Sequence, residues 1–244
     1  MKFWKKLFPK DLTVSLFNAG WWLHVILTVL GLFLFTLYGS HLPIEERLHY
    51  IFVTSVIEYI ILRLYKFYLI RVRDDYPYFD NLPCFLCNQS TILCIVASLT
   101  NNTHLMSFCI CVGSFGSILA FLFPDKIIQN QPFFGVQTLG FYGYHGLLII
   151  TCLSFYTLGL YRPVLTDGIW NTLLLFVNGV ITHIVNGTLI KTGLDPIANY
   201  SFTIRPDNAF LEKLYQICPR QFFYILPVLL ISAVISFVIL LLLP

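Results

Sequence analysis

The sequence predicts an all-α fold, a polytopic membrane helix bundle of about seven transmembrane helices with its N-terminus in the cytoplasm. Three observations predict it. Hydrophobic residues make up 57% of the 244-residue chain and charged residues only 11%, where a soluble domain carries about a quarter charged residues. The apolar residues fall into stretches of about 20, the length that a helix needs to cross a hydrocarbon core of roughly 30 Å. The basic residues collect on alternate connections between those stretches.

Helices are expected at Trp21–Gly39, His49–Ile70, Leu82–Leu99, Leu105–Phe123, Val136–Gly159, Asp167–Thr188 and Phe222–Leu243. The first is too long for a signal-peptide core and no small-residue cleavage site follows it, so it reads as a retained span. The second holds Arg63 and Lys66 in its last turns, where long basic side chains snorkel to the interface. A tight turn at Asn101-Asn102-Thr103-His104 separates the third from the fourth. Before the first span, Lys2, Lys5 and Lys6 alternate with Phe3, Trp4, Leu7 and Phe8. That pattern reads either as an amphipathic segment within residues 1–20, lying on the cytoplasmic lipid surface, or as a plain positive-inside flank. The longest connection, Leu189–Gln221, is too apolar for a disordered tail and is expected to fold back on the bundle.

Orientation follows from the basic residues. Lys2, Lys5, Lys6, Lys10, Arg63, Lys66, Arg71, Arg73, Lys126, Lys191, Arg205, Lys213 and Arg220 fall on one side; Arg47 and Arg162 fall on the other. Cytoplasmic connections retain Lys and Arg, so the first side is cytoplasmic and an odd number of spans puts the C-terminus outside. The chain is expected to form a single integral membrane domain over residues 1–244, in the cell membrane. A net charge of +3 gives no argument for nucleic acid, and seven cysteines in or beside apolar segments do not form a disulfide framework.

Polar groups inside spans are costly and normally face a protein interior or a wet cavity. Four places stand out. In Asn81-Leu82-Pro83-Cys84-Phe85-Leu86-Cys87-Asn88, Pro83 fits the first turn of a helix, which places Cys84 in that turn, where free N–H groups favour a thiolate. Cys84, Cys87, Asn88 and Thr91 share a face. The competing reading is helix packing with two neutral thiols; one Cys-x-x-Cys pair makes a poor zinc site. In Tyr144-His145-Gly146, His145 is placed to act as general base for a thiol, or to hydrogen-bond a neighbouring helix. Gly140, Gly143 and Gly146 make a surface for close helix approach. Asn178, His183 and Asn186 lie on the sixth span, where interhelical hydrogen bonds are the favoured reading. Glu58, near the middle of the second span, is expected to orient a His, bind a cation, carry a proton or make a structural hydrogen bond.

The stretch Leu82-Pro83-Cys84-Phe85-Leu86-Cys87-Asn88 resembles the Leu-Pro-Leu-His-x-Cys-Asn signature of the bacterial YwaF-like membrane proteins and the Asn-Pro-Cys-His segment of the eukaryotic transmembrane protein 164 group. Further similarities keep the same order: Leu122-Phe123-Pro124-Asp125, His145-Gly146, Asn186, Asn199-Tyr200, Pro206 and Phe222-Phe223-Tyr224. The resemblance covers about residues 50–228 and implies a membrane acyltransferase that moves fatty acyl chains between phospholipids. The family nucleophile falls on Cys84 and the family His on His145; the Cys shared with the bacterial proteins falls on Cys87. This chain departs from the pattern at Phe85, where both groups carry His, and is longer around Ile190–Ala198.

The leading expectation is therefore a phospholipid acyltransferase or acyl hydrolase. Cys84 attacks an acyl ester, His145 moves the proton, Asn88 or Asn186 donates to the oxyanion and Glu58 orients His145. Cys87, His183 and Asn199 support the site. Membrane phospholipid is the expected partner, with no cofactor and no metal needed. Two rivals come from other classes: a carrier or permease with a midplane polar site, and a scaffold without catalysis, for which Phe85 is the argument.

Overall fold

A computed structural model describes residues 12–72, 78–124, 128–206 and 209–242. The amphipathic pattern at residues 2–10, and Arg73, Asp125 and Lys126, lie outside the described residues. Among the described residues eight helices carry the fold: α1 (Ala19–Ser40), α2 (Ile44–Val72), α3 (Leu86–Thr100), α4 (Thr103–Leu122), α5 (Val136–Thr157), α6 (Asp167–Lys191), α7 (Ala209–Ile217) and α8 (Leu226–Leu242). A two-residue antiparallel ladder joins β1 (Thr13–Val14) to β2 (Gln131–Pro132).

Among the described residues, six helices are long and apolar enough to cross a membrane: α1, α2, α4, α5, α6 and the last, which with the 3-10 turn before it runs Phe223–Leu241. The third expected span, α3, is apolar but has only 15 residues. At 1.5 Å per residue it is about 22 Å long, short of the hydrocarbon thickness. The chain is a multi-pass helical membrane bundle. Its surface agrees: Ile26, Val29, Leu30, Phe33, Leu34 and Leu37 of α1 stand exposed, a stripe that water would not tolerate and lipid does.

The helices start and stop where local chemistry allows. The Asn18 side chain accepts from Trp21 N–H at 2.9 Å and caps α1. The expected tight turn is made by Asn101, at φ 52°, ending α3, and by Asn102, whose side chain accepts from Leu105 N–H at 3.1 Å to start α4. Asn is one of the few side-chain-bearing residues that enter the left-handed region cheaply. The first connection is held by Arg47, which donates to the carbonyls of Leu42, Leu158 and Ser40.

α4 and α5 are the interior of the bundle, with 61% and 67% of their spanning windows buried against 17% for α1. α5 packs against α1, α2 and α4; α2 packs along α3; α8 lies on α6. The expected glycine surface on α5 divides between neighbours. Gly140 lies against the Tyr65 ring of α2, Gly146 against Thr28 of α1, and Gly143 meets open space. A Cβ at Gly140 would overlap the Tyr65 ring, so Gly140→Ala is expected to destabilise by about 1–3 kcal/mol. Gly143→Ala is expected to be near neutral. Thermal unfolding of both variants in detergent checks the contrast.

Candidate functional site

The site is built around the segment that precedes α3. The structure corrects the expected helix start at Leu82: α3 begins at Leu86, so Cys84 lies before the helix and Cys87 occupies the first turn. Phe85 is extended (φ −78°, ψ 144°), and the first helical bond runs from Gln89 N–H to the Phe85 carbonyl at 3.0 Å. The Cys84 carbonyl instead receives side chains: Gln89 Nε2 at 3.4 Å, Thr182 Oγ1 at 3.5 Å and Ser201 Oγ at 3.5 Å. One residue thus ties α3, α6 and the connection after α6 together. Asn81 is held in place by Arg63 Nη1, which donates to its carbonyl.

Cys84 is half-buried. Burial pushes its thiol above the ordinary range, and the Lys66 ammonium partly opposes that shift. Lys66 is the residue that the sequence placed elsewhere. Its side chain does not snorkel outward: only 7% of it is exposed, and its Nζ stands 5.2 Å from the centre of the Phe85 ring. It lies within Coulombic reach of Cys84, Cys87 and His145 together. The periodic signal was present, because Ile51, Ser55, Glu58, Leu62, Lys66 and Leu69 form the buried face of α2. Lys66 therefore shares a face with Glu58, two turns and about 12 Å further along.

His145 is buried on α5, its Nδ1 2.8 Å from the Phe141 carbonyl. A carbonyl only accepts, so Nδ1 carries the proton and Nε2 presents its lone pair. The rings of Phe141 and Tyr144 flank it at 4.5 and 4.9 Å. Glu58 does not orient it, contrary to expectation. The Glu58 carboxyl, fully buried, accepts from Thr91 Oγ1 at 2.6 Å and Thr151 Oγ1 at 2.9 Å. A polar ladder runs from there toward the Cys segment. Thr91 Oγ1 lies 3.0 Å from the Tyr144 hydroxyl, which donates to Asn88 Oδ1 at 3.4 Å, and Cys87 Sγ donates to the same oxygen at 3.7 Å. Asn88 Nδ2 is buried with no hydrogen-bond partner among the described residues.

The remaining sequence candidates have structural work. Asn186 donates its amide to the Tyr200 carbonyl at 2.9 Å and to Thr203 Oγ1 at 2.8 Å, and accepts from Tyr200 N–H at 2.9 Å. Both amide protons are taken, so it is not the oxyanion donor the sequence allowed. Asn199 closes the next turn, donating to the Arg205 carbonyl and accepting from Ile204 and Arg205 N–H. His183 packs on the Phe222 ring, with centroids 5.4 Å apart; its neighbour Thr182 is the α6 residue that reaches Cys84. Thr182 and Ser201 carry no sequence signal of their own, because single hydroxyls in loops and spans are common; Tyr200 was marked by the family resemblance alone.

A groove of about 270 Å³ opens between α3 and α6, lined by Gln89, Ile92, Leu93, Leu174, Val177 and Asn178 among others. It is apolar except at Gln89 and Asn178, and Gln89 is the side chain bonded to the Cys84 carbonyl.

A model of the TMEM164 family matches residues 14–243. No curated protein and no solved structure matches the chain.

Proposed function

The chain belongs to the TMEM164 family, and from that premise we propose that it transfers acyl chains between phospholipids, or hydrolyses them, through a thioester on Cys84. The observation that carries this reading is the position of Lys66, whose charge reaches Cys84, Cys87 and His145 at once. In this reading it joins a thiol, an imidazole with a free Nε2 lone pair and a positive charge to an apolar groove lined in part by Gln89.

In this reading the acyl tail lies in the groove between α3 and α6. The Cys84 sulfur attacks the ester carbonyl, and its proton passes to His145 Nε2. The carbonyl oxygen gains charge beside the start of α3, which has no side-chain cap, and beside the unpartnered Asn88 Nδ2. Collapse of the intermediate expels the lysolipid alkoxide, which takes the proton from His145. A second lysolipid hydroxyl, or water, then attacks the thioester with His145 again as base. Phe85 replaces the family His without emptying the place, since its ring fills the space between Lys66 and Tyr200. The site would then lie in the cytoplasmic half of the bundle, as the distribution of basic residues indicates.

The test is acid-quenched labelling of the detergent-purified protein with phospholipid carrying a radiolabelled acyl chain. Hydroxylamine-labile label is expected on wild type and Cys87→Ala, and is expected to be absent from Cys84→Ala and His145→Ala. Loss with Cys87→Ala alone would move the nucleophile into the first turn of α3. No label and no acyl exchange in any variant would overturn the enzyme reading.

A further inference from the structure

Four cysteines lie outside the proposed reaction centre in the buried core, and three of them converge. Cys94 comes from α3, Cys109 from α4 and Cys152 from α5. Each is fully buried, all three sulfurs lie within 4.8 Å of one another, and Cys94 and Cys152 are 3.5 Å apart. Two further features bear on this place. Cys109 opens a π turn, Cys109–Gly113, that interrupts α4; such turns insert an extra residue and often mark functional positions. Gly113, in the same turn, leaves room for the Cys152 sulfur, because a Cβ there would stand 2.9 Å from it. The Glu58 carboxyl is the acidic group within Coulombic reach of Cys94 and Cys109.

We propose that Cys94, Cys109 and Cys152 form a closed site for a thiophilic monovalent cation, Cu(I), in the centre of the bundle. Soft sulfur ligands select Cu(I), zinc or iron–sulfur centres. Structural zinc takes four ligands, and here only three His, Cys, Asp or Glu groups come together among the described residues. A three-coordinate ion suits that set. With metal–sulfur distances of about 2.3 Å, as for zinc thiolates, a trigonal ion holds its sulfurs about 4 Å apart, within the spread present here. Each thiol that binds as thiolate releases its proton, so binding tightens as pH rises. A bound ion would fasten α3, α4 and α5, the helices that carry the Cys84 segment and His145. The inference stands independently of the acyl-transfer reading.

The experiment is anaerobic titration of the reduced, detergent-purified full chain with Cu(I) in competition with a chromophoric Cu(I) chelator, followed by X-ray absorption of the complex. One ion per chain, with three sulfur neighbours at about 2.3 Å, is expected. Cys94→Ser, Cys109→Ser and Cys152→Ser are each expected to weaken binding at least 100-fold, while Cys111→Ser and Cys218→Ser retain it. No stoichiometric binding by wild type, binding that survives the triple serine variant, or a sulfur count below three would overturn the proposal. The sulfur count on wild type decides the matter if a serine variant fails to fold.

Discussion

Lys66→Met is expected to lower both thioester labelling and acyl exchange by at least about 100-fold, the scale on which removal of one preorganised charge from a transition state acts. Among the described residues, Lys66 is a charge that acts on every reactive group of the proposed reaction: Cys84, Cys87 and His145 all feel it. The sign at Cys84 is fixed. Burial raises that thiol and Lys66 lowers it, so the variant thiol rises further and the thiolate fraction at any pH below it falls. The reactivity profile of Cys84 therefore moves to higher pH, and alkylation by iodoacetamide at neutral pH slows. That second readout needs no substrate and is followed by mass spectrometry of the Cys84 peptide. Lys66→Arg keeps the charge but replaces a compact ammonium with a broad planar group, and is expected to retain part of the rate. Wild-type alkylation and acyl exchange in Lys66→Met, at unchanged thermal midpoint, would remove the ammonium from the chemistry.

The same residue shows what the sequence could and could not reveal. Apolar length located the long helices because lipid imposes a period-free constraint, a run of about 20 apolar residues. Boundaries of α1, α5 and α6 agree within a few residues, and the Asn101-Asn102 turn was readable because few other residues do what Asn does at both helix ends. The start of α3 was not readable. Pro83 is compatible with a first helical turn, but the Cys84 carbonyl is met by three side chains, two of them from distant segments, which no local pattern announces. Lys66 was misplaced for a related reason. Near a helix end, snorkelling and inward burial look alike in sequence, and the choice depends on what stands beyond the side chain, here the Phe85 ring. Glu58 was visible as an anomaly, but its partners Thr91 and Thr151 sit on two other helices, and no local pattern pairs a carboxyl with threonines 33 and 93 residues away.

Asn186→Ala is expected to destabilise the protein by about 3 kcal/mol or more and to expose Cys84, because one side chain holds the covering segment in three hydrogen bonds. Each buried partner left unsatisfied costs about 1–3 kcal/mol; the Tyr200 N–H and the Thr203 hydroxyl lose their Asn186 partner, while the Tyr200 carbonyl keeps only the Thr203 N–H at 3.3 Å. The consequence spreads outward from Tyr200. Its hydroxyl donates to the Phe79 carbonyl, its ring meets Phe85 at 5.2 Å, and its neighbour Ser201 reaches the Cys84 carbonyl. Ser201 and Phe202 hold left-handed backbone at φ 49° and 58°, a conformation that costs of order 1–3 kcal/mol per residue and persists only where the surroundings impose it. Without Asn186 the segment has reason to relax, and the covering over Cys84 loosens. Maleimide labelling of Cys84 is then expected to accelerate by about tenfold, an opening shift of about 1.4 kcal/mol, with new protease cleavage between residues 199 and 206. Asn186→Asp keeps the acceptor for Tyr200 N–H and loses both donors, so it is expected to fall between wild type and alanine in thermal midpoint and labelling rate. Alanine labelling at the wild-type rate, with an unchanged midpoint, would mean that the segment is held by Tyr200 and Tyr224, whose hydroxyls donate to the Phe79 and Phe202 carbonyls, and that Asn186 is dispensable to the covering of Cys84.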